Sequence, residues 1–329
     1  MIHPIDAAAA VPLRLLTGRK RTFHGGWGDE GLLALNDAAT LRPEEIRAID
    51  IDWGPARACD SLVVTDGTFT SPAASLPAQS RAGFVRRIAP ATGPRAWCVW
   101  MAAWNDHDWK TRTALAARTA DAGIGSVLLM NPYYGQRSPA AKGEQPIATV
   151  ADFGAMGRAA VIEGAGVLMT LRREGLPVGV SGYSMGGNIG AMVSASVPFR
   201  VATAALAVSH SPAPVFLSGP PGEAVDWAAL GGRTESVGRL ASILGSASVL
   251  RMPAPPHADI AVLVGSRRDG FVPAAATEAL HHHWPGSELR WLRGGHASML
   301  WFTKDELVDA VVRSFDRLRA RPASGPLQP

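Results

Sequence analysis

The run Pro177-Val178-Gly179-Val180-Ser181-Gly182-Tyr183-Ser184-Met185-Gly186-Gly187 passes from strand character to helix character at Ser184. Its centre, Gly182-Tyr183-Ser184-Met185-Gly186, matches G-x-S-x-G, in which a serine sits on a sharp strand-to-helix turn. A serine held there has strained backbone geometry, and side chains two residues away on either side would collide. Glycine at 182 and 186 removes the collision and lets the hydroxyl project above a sheet edge. A helix beginning just behind the serine aims its positive end, and the Met185 N–H, at any negative charge that develops there.

Outward from this turn the chain alternates. Arg95 to Met101 and Ser126 to Met130 read as buried strands, and Trp109 to Ala122 and Ala148 to Glu174 as helices. Downstream come Val201 to Ser209 (strand), Ile260 to Gly265 (strand), Pro273 to Trp284 (helix), Glu288 to Leu292 (strand) and Thr303 to Ala320 (helix). Such alternation implies an α/β fold, a mostly parallel central sheet with helices on both faces. Residues 1–60 read as a helical N-terminal extension of one or two helices, with a helix start at Arg42-Pro43-Glu44-Glu45. The segment 61–93, punctuated by Asp66-Gly67 and Ser71-Pro72, reads as short strands and loops. Residues 211–258, rich in proline, glycine and serine, read as a short lid inserted into a domain spanning 61–320. The polar tail 321–329 reads as disordered.

A serine hydroxyl is a weak nucleophile unless a base, itself oriented by a carboxylate, takes its proton. On this fold the partners follow in the order acid, then histidine. Asp269 follows a strand in Gly265-Ser266-Arg267-Arg268-Asp269-Gly270, and His296 follows the last strand in Gly294-Gly295-His296. Ser184, Asp269 and His296 are therefore the expected catalytic residues. A turn residue at 269 and a solvated loop histidine at 296 are the plainer alternatives. His281-His282-His283 points in three directions at a helix end and reads as solvated; no metal site and no cofactor is expected.

Several segments resemble the eukaryotic alpha/beta hydrolase domain-containing protein 18 family. They are Gly26-Trp27-Gly28, Asp66-Gly67-Thr68-Phe69-Thr70-Ser71-Pro72, Asp106-His107-Asp108-Trp109, Asn131-Pro132-Tyr133-Tyr134-Gly135, Ser184-Met185-Gly186-Gly187, Trp284-Pro285-Gly286 and Gly294-Gly295-His296. The resemblance implies an α/β-hydrolase fold, the same Ser184, Asp269 and His296, and hydrolysis of acyl esters, lipids included. It departs at Ala102-Ala103-Trp104-Asn105, where the family carries a glycine-containing turn. That turn supplies the second oxyanion donor, so the amide of Ala103 or of Trp104 is expected to join that of Met185. Tyr183, His107, Tyr133 and Tyr134 are expected to contact substrate. A helix cap at Asp106–Trp109 and a loop anchor at the two tyrosines are the alternatives.

Composition narrows the class. The 329 residues are 47% apolar and 18% charged, with 32 basic against 28 acidic residues, a net charge of +4. That charge is scattered, so no nucleic-acid partner is expected. The two cysteines, Cys59 and Cys98, suggest reduced thiols and a cytoplasmic setting. No secretory signal and no spanning segment is read, and the 5–35 stretch is too poor in lysine and arginine to anchor the chain on a membrane. The expectation is a serine esterase, lipase-like, acting on a small-molecule or lipid acyl ester. A thioesterase, an amidase or peptidase, or an acyltransferase would use the same three residues, and a non-catalytic binding protein is the further rival.

Overall fold

The computed structural model describes residues 2–320; the tail expected over 321–329 lies outside them. The strands are β1 (Asp52–Trp53), β2 (Arg57–Cys59), β3 (Leu62–Thr70), β4 (Ala82–Pro90), β5 (Ala96–Met101), β6 (Ile124–Leu129), β7 (Val178–Tyr183), β8 (Ala202–Leu206), β9 (Val262–Gly265) and β10 (Glu288–Trp291). The helices are α1 (Pro4–Arg14), α2 (Glu30–Leu33), α3 (Lys110–Asp121), α4 (Val150–Arg172), α5 (Met185–Ser196), α6 (Ala213–Ser218), α7 (Arg233–Ser246), α8 (Ala274–His283), α9 (His296–Phe302) and α10 (Lys304–Ala320).

Among the described residues the strands form one sheet in the order β1-β3-β4-β6-β5-β7-β8-β9-β10, with β2 paired to β3. From β6 to β10 neighbouring strands are parallel. Strands of this part are apolar on both faces because helices cover both. Along β5, Trp97, Val99 and Met101 pack with α4 and α5, and Ala96, Cys98 and Trp100 with α3 and α10, the period of two that a pleated strand imposes. The chain leaves β5 through α3 to β6 on one side, then returns through α4 to β7 on the other. Strand order reverses at β5, and the loops after β5 and β7 diverge around a crevice at the carboxyl edge.

One expectation is corrected. The 61–93 segment is not a set of short strands but a nine-residue antiparallel pair, β3 with β4. Asp66-Gly67 lies within β3 and makes no turn. Asp66 faces Arg86 across the pair and binds it and Arg57 at 2.6 and 2.7 Å, while Gly67 leaves room for the Trp53 ring. The N-terminal extension is helical as expected, with α1, the single-turn α2, and short 3₁₀ turns at 18–20, 34–36, 38–40 and, at the expected start, 43–45. Beyond α1 the extension is tied to α4 by polar contacts: Arg158 to both Glu45 oxygens (3.1 and 2.5 Å), and the Ile49 N–H to Thr170 (3.0 Å). With Pro43 and several glycines in the segment, these ties replace helix nucleation, which is costly over so few residues.

Behind the β6 loop lies an ion pair with no solvent exposure. Arg137 binds both oxygens of Glu163 on α4 (2.7 and 2.6 Å), and also the carbonyls of Met130 (2.7 Å) and Ser80 (2.6 Å). Removing one partner strands a buried charge, so Glu163→Gln is expected to lower unfolding stability by about 3–5 kcal/mol in urea titrations. His257 is buried against Ser194 (3.1 Å), which accepts from Thr203 (2.8 Å). Burial, with the Arg200 charge, lowers its pKa to about 4. Between about pH 6.5 and 4 the unfolded chain then binds the extra proton, so stability falls with acidification, by up to roughly 3 kcal/mol. Unfolding free energy measured across that window should lose this component in His257→Asn.

Candidate active site

Ser184 closes β7 and precedes α5 with φ 57° and ψ −118°, a conformation few non-glycine residues hold. Its N–H donates to the Leu206 carbonyl of β8 (2.8 Å), and its carbonyl accepts from Gly187 and Asn188 (2.9 and 3.1 Å). The turn is thus fixed from both sides. A Cβ on Gly186 would come within 2.5 Å of the Met101 carbonyl, and one on Gly182 would meet the Gly186 backbone. The glycines are required by the close approach of the β5 and β7 ends.

His296 opens α9 and is not in an irregular loop. Its Nε2 lies 2.9 Å from Ser184 Oγ and its Nδ1 2.8 Å from Asp269 Oδ2. The other Asp269 oxygen accepts from the N–H groups of Phe271 and Val272, both at 2.8 Å, and its side chain is 1% exposed. A carboxylate so engaged only accepts, which assigns the proton to Nδ1 and leaves Nε2 free to accept from the serine. Phe271 stacks on the imidazole at 4.8 Å. Tyr183 donates its hydroxyl to the His296 carbonyl (2.5 Å); burial, then the charges of Asp269 and Asp6, push its pKa well above the ordinary value, so it remains a donor.

A cavity of about 290 Å³ opens on Ser184 and His296, with Met185, Ala103 and Trp104 on its wall. Its far side is aromatic: Trp104, Phe153 of α4 and Phe216 of α6 meet at 5.5–5.8 Å between ring centres. Asn188, held by the Ser209 carbonyl (3.1 Å), and Ser211 also line it. None of Phe153, Phe216, Asn188 or Ser211 stood out in the sequence. A phenylalanine on a long apolar helix looks like any core residue, and α6 lies in a stretch without clear periodicity.

Of the residues expected to contact substrate, Tyr183 lies on the cavity wall. Tyr133 and Tyr134 are buried and do not line the cavity, and His107, exposed, lines an adjoining cleft that shares Ala103, Trp104 and Tyr183 with it. Tyr134, fully buried, accepts the Asn105 N–H on its hydroxyl (3.3 Å) and so braces the turn carrying Ala103 and Trp104. Tyr133 donates to Asp152 of α4 (3.0 Å). His107 packs on the Tyr134 ring at 4.7 Å and accepts from the Gly135 N–H (3.4 Å). Beside it, Asp108 caps α3 through the Lys110 N–H (2.8 Å) and Asp106 binds the buried Arg112 (2.7 Å). The histidine run closes α8, with His281 on Ser287 (2.8 Å) and His283 on the Met252 carbonyl (2.9 Å). Among the described residues no group of three or more His, Cys, Asp or Glu side chains could hold a metal ion.

Strand order, the strained serine at the β7 end and the residues gathered around it define an α/β-hydrolase. The chain belongs to the alpha/beta hydrolase domain containing 18 family, which matches residues 20–247 and 235–317. The fold is also similar to acetyl xylan esterase 1 from Thermoanaerobacterium sp. (16% identity, TM-score 0.59, 93% of this chain and 98% of that one). A second similar structure is the acetyl xylan esterase from Paenibacillus sp. (11% identity, TM-score 0.58, 86% and 95%).

Gly186→Ala tests the close approach. It is expected to cost at least about 2 kcal/mol in denaturant unfolding, because backbone on both sides must move. An alanine tolerated without loss would contradict the packing described for this turn.

Proposed function

We propose that the protein hydrolyses carboxylic acyl esters through a covalent acyl-serine intermediate, with Ser184 as nucleophile, His296 as base and Asp269 as the carboxylate that orients it. The observation that carries this reading is the continuous bond path from Asp269 Oδ2 through both imidazole nitrogens to Ser184 Oγ, at 2.8 and 2.9 Å. Hydrogen-bond reach between nucleophile and base, with the base held by a third group, is the geometry that activates a serine.

The Ser184 oxygen attacks the ester carbonyl carbon while its proton passes to His296 Nε2. The carbonyl oxygen takes the negative charge, for which the Met185 N–H at the start of α5 and an amide of Ala103 or Trp104 are the candidate donors. Collapse of this intermediate breaks the bond to the alcohol oxygen, which leaves with the proton from Nε2. Water then attacks the acyl-enzyme, giving its proton to Nε2, and the carboxylic acid departs as the serine is reprotonated. Asp269 stabilises the imidazolium at each stage and keeps Nδ1 as the donor. The apolar cavity beside Ser184 suits an acyl chain, lipid acyl groups among them, better than a charged group.

Nitrophenyl esters graded in acyl length test the reading. Ser184→Ala should lower kcat/KM by about 10⁴-fold or more. Val215→Trp, which fills part of the cavity wall, should move the preference toward shorter chains. Ester turnover unchanged in Ser184→Ala would end the proposal. A wild type silent on esters but active on thioesters or anilides would keep the three residues and replace the substrate class.

A further inference from the structure

Asp6 lies in the first turn of α1 and has no exposed surface. Among the described residues no cation pairs with it. Its carboxylate instead accepts from three main-chain N–H groups: Gly270 (2.8 Å) and His296 (2.6 Å) on Oδ2, and Ala297 (3.0 Å) on Oδ1. Withdrawing a carboxylate from water is costly unless hydrogen bonds replace hydration, and charge-assisted bonds are the strong ones. The donors come from the two loops that meet in the site. Gly270 directly follows Asp269, and His296 and Ala297 begin α9, whose first N–H groups lack partners within the helix. The helix is docked on the same loop by the His3 N–H, which donates to the Arg268 carbonyl (3.0 Å). A Cβ on Gly295 would collide with the Asp6 carboxylate, so the glycine before the histidine makes room for it.

We propose that Asp6 is a positioning residue for the catalytic pair: it clamps the Asp269 loop to the start of α9 and sets the direction from which the imidazole meets Ser184. The inference rests on the hydrolase reading above. With Tyr183 on the His296 carbonyl, the backbone of the base is held at both its N–H and its C=O. The clamp needs a carboxylate. An amide at this position offers one accepting oxygen and turns an NH₂ group toward a main-chain N–H. Asp6 touches no reacting atom and acts through the Asp269 loop and His296.

The test compares Asp6→Asn with Arg14→Ala, which lies on the same helix but binds only the exposed Glu223 (3.4 Å). Asp6→Asn should lower kcat, and the rate at which a fluorophosphonate labels Ser184, on the order of 10²-fold, as misplacement of a catalytic group does, with KM within about twofold. The deshielded proton resonance of His296 Nδ1 should shift or broaden. Arg14→Ala should leave all three at their wild-type values. Should Asp6→Asn fail to fold, Gly295→Ala presses a Cβ on the Asp6 carboxylate from the other side, at a backbone conformation alanine holds, and should lower kcat several-fold. A folded Asp6→Asn that keeps wild-type kcat and an unmoved Nδ1 resonance overturns the proposal, whatever its melting temperature. A wild type whose Ser184 is never labelled refutes the hydrolase reading itself, and the proton resonance then still decides the role of Asp6.

Discussion

Two backbones approach more closely in this protein than side chains would permit, and the geometry of the carboxyl edge follows from that contact. The start of α5 lies against the end of β5, where Gly186 faces the Met101 and Ala102 carbonyls. Beside this contact Ala103, Trp104 and Met185 share one cavity wall, and Ser184 is held at φ 57°. The strain is local, and the surroundings over-determine it. Ser184 is bonded to β8 through its N–H and to the first turn of α5 through its carbonyl. Relaxing the serine would require breaking the parallel sheet or the helix behind it.

Around that fixed point the other groups are held by polar contacts in places water barely reaches. Asp269, His296, Tyr183 and Asp6 form one network in which the carboxylates receive main-chain or imidazole N–H groups. Few buried donors or acceptors in it are left over, which is the condition under which such a network rigidifies a site instead of weakening it. The second layer works the same way. Tyr134 braces the 102–105 turn, and the Arg137–Glu163 pair fixes the loop that carries Tyr134 to α4 and to Ser80. The distinctive Asn131–Gly135 stretch therefore acts on the cavity through the backbone it supports.

Much of this was legible in the sequence, for identifiable reasons. Alternating strands and helices give a strong periodic signal, and the spacing Ser184, Asp269, His296 puts each residue just past its own strand. Asp66-Gly67 misleads because a turn-forming dipeptide was overridden by cross-strand pairing with Arg86 and by the Trp53 ring. Asp6 carried no local signal at all. An acid in the first turn of a helix looks like a favourable dipole partner, and its true donors are more than 260 positions away in the chain. The wall of the cavity was hidden for the same reason, since Phe153 and Phe216 meet Trp104 only through the tertiary fold.

In the proposed mechanism Ser184 is an activated nucleophile. Peptide mapping by mass spectrometry after exposure to a fluorophosphonate tests it without knowledge of the substrate. One phosphonyl group per chain is expected, on the peptide that carries Ser184, and it should be lost when His296 is replaced by alanine. An unmodified protein, or an adduct on another residue that persists in Ser184→Ala, would contradict it.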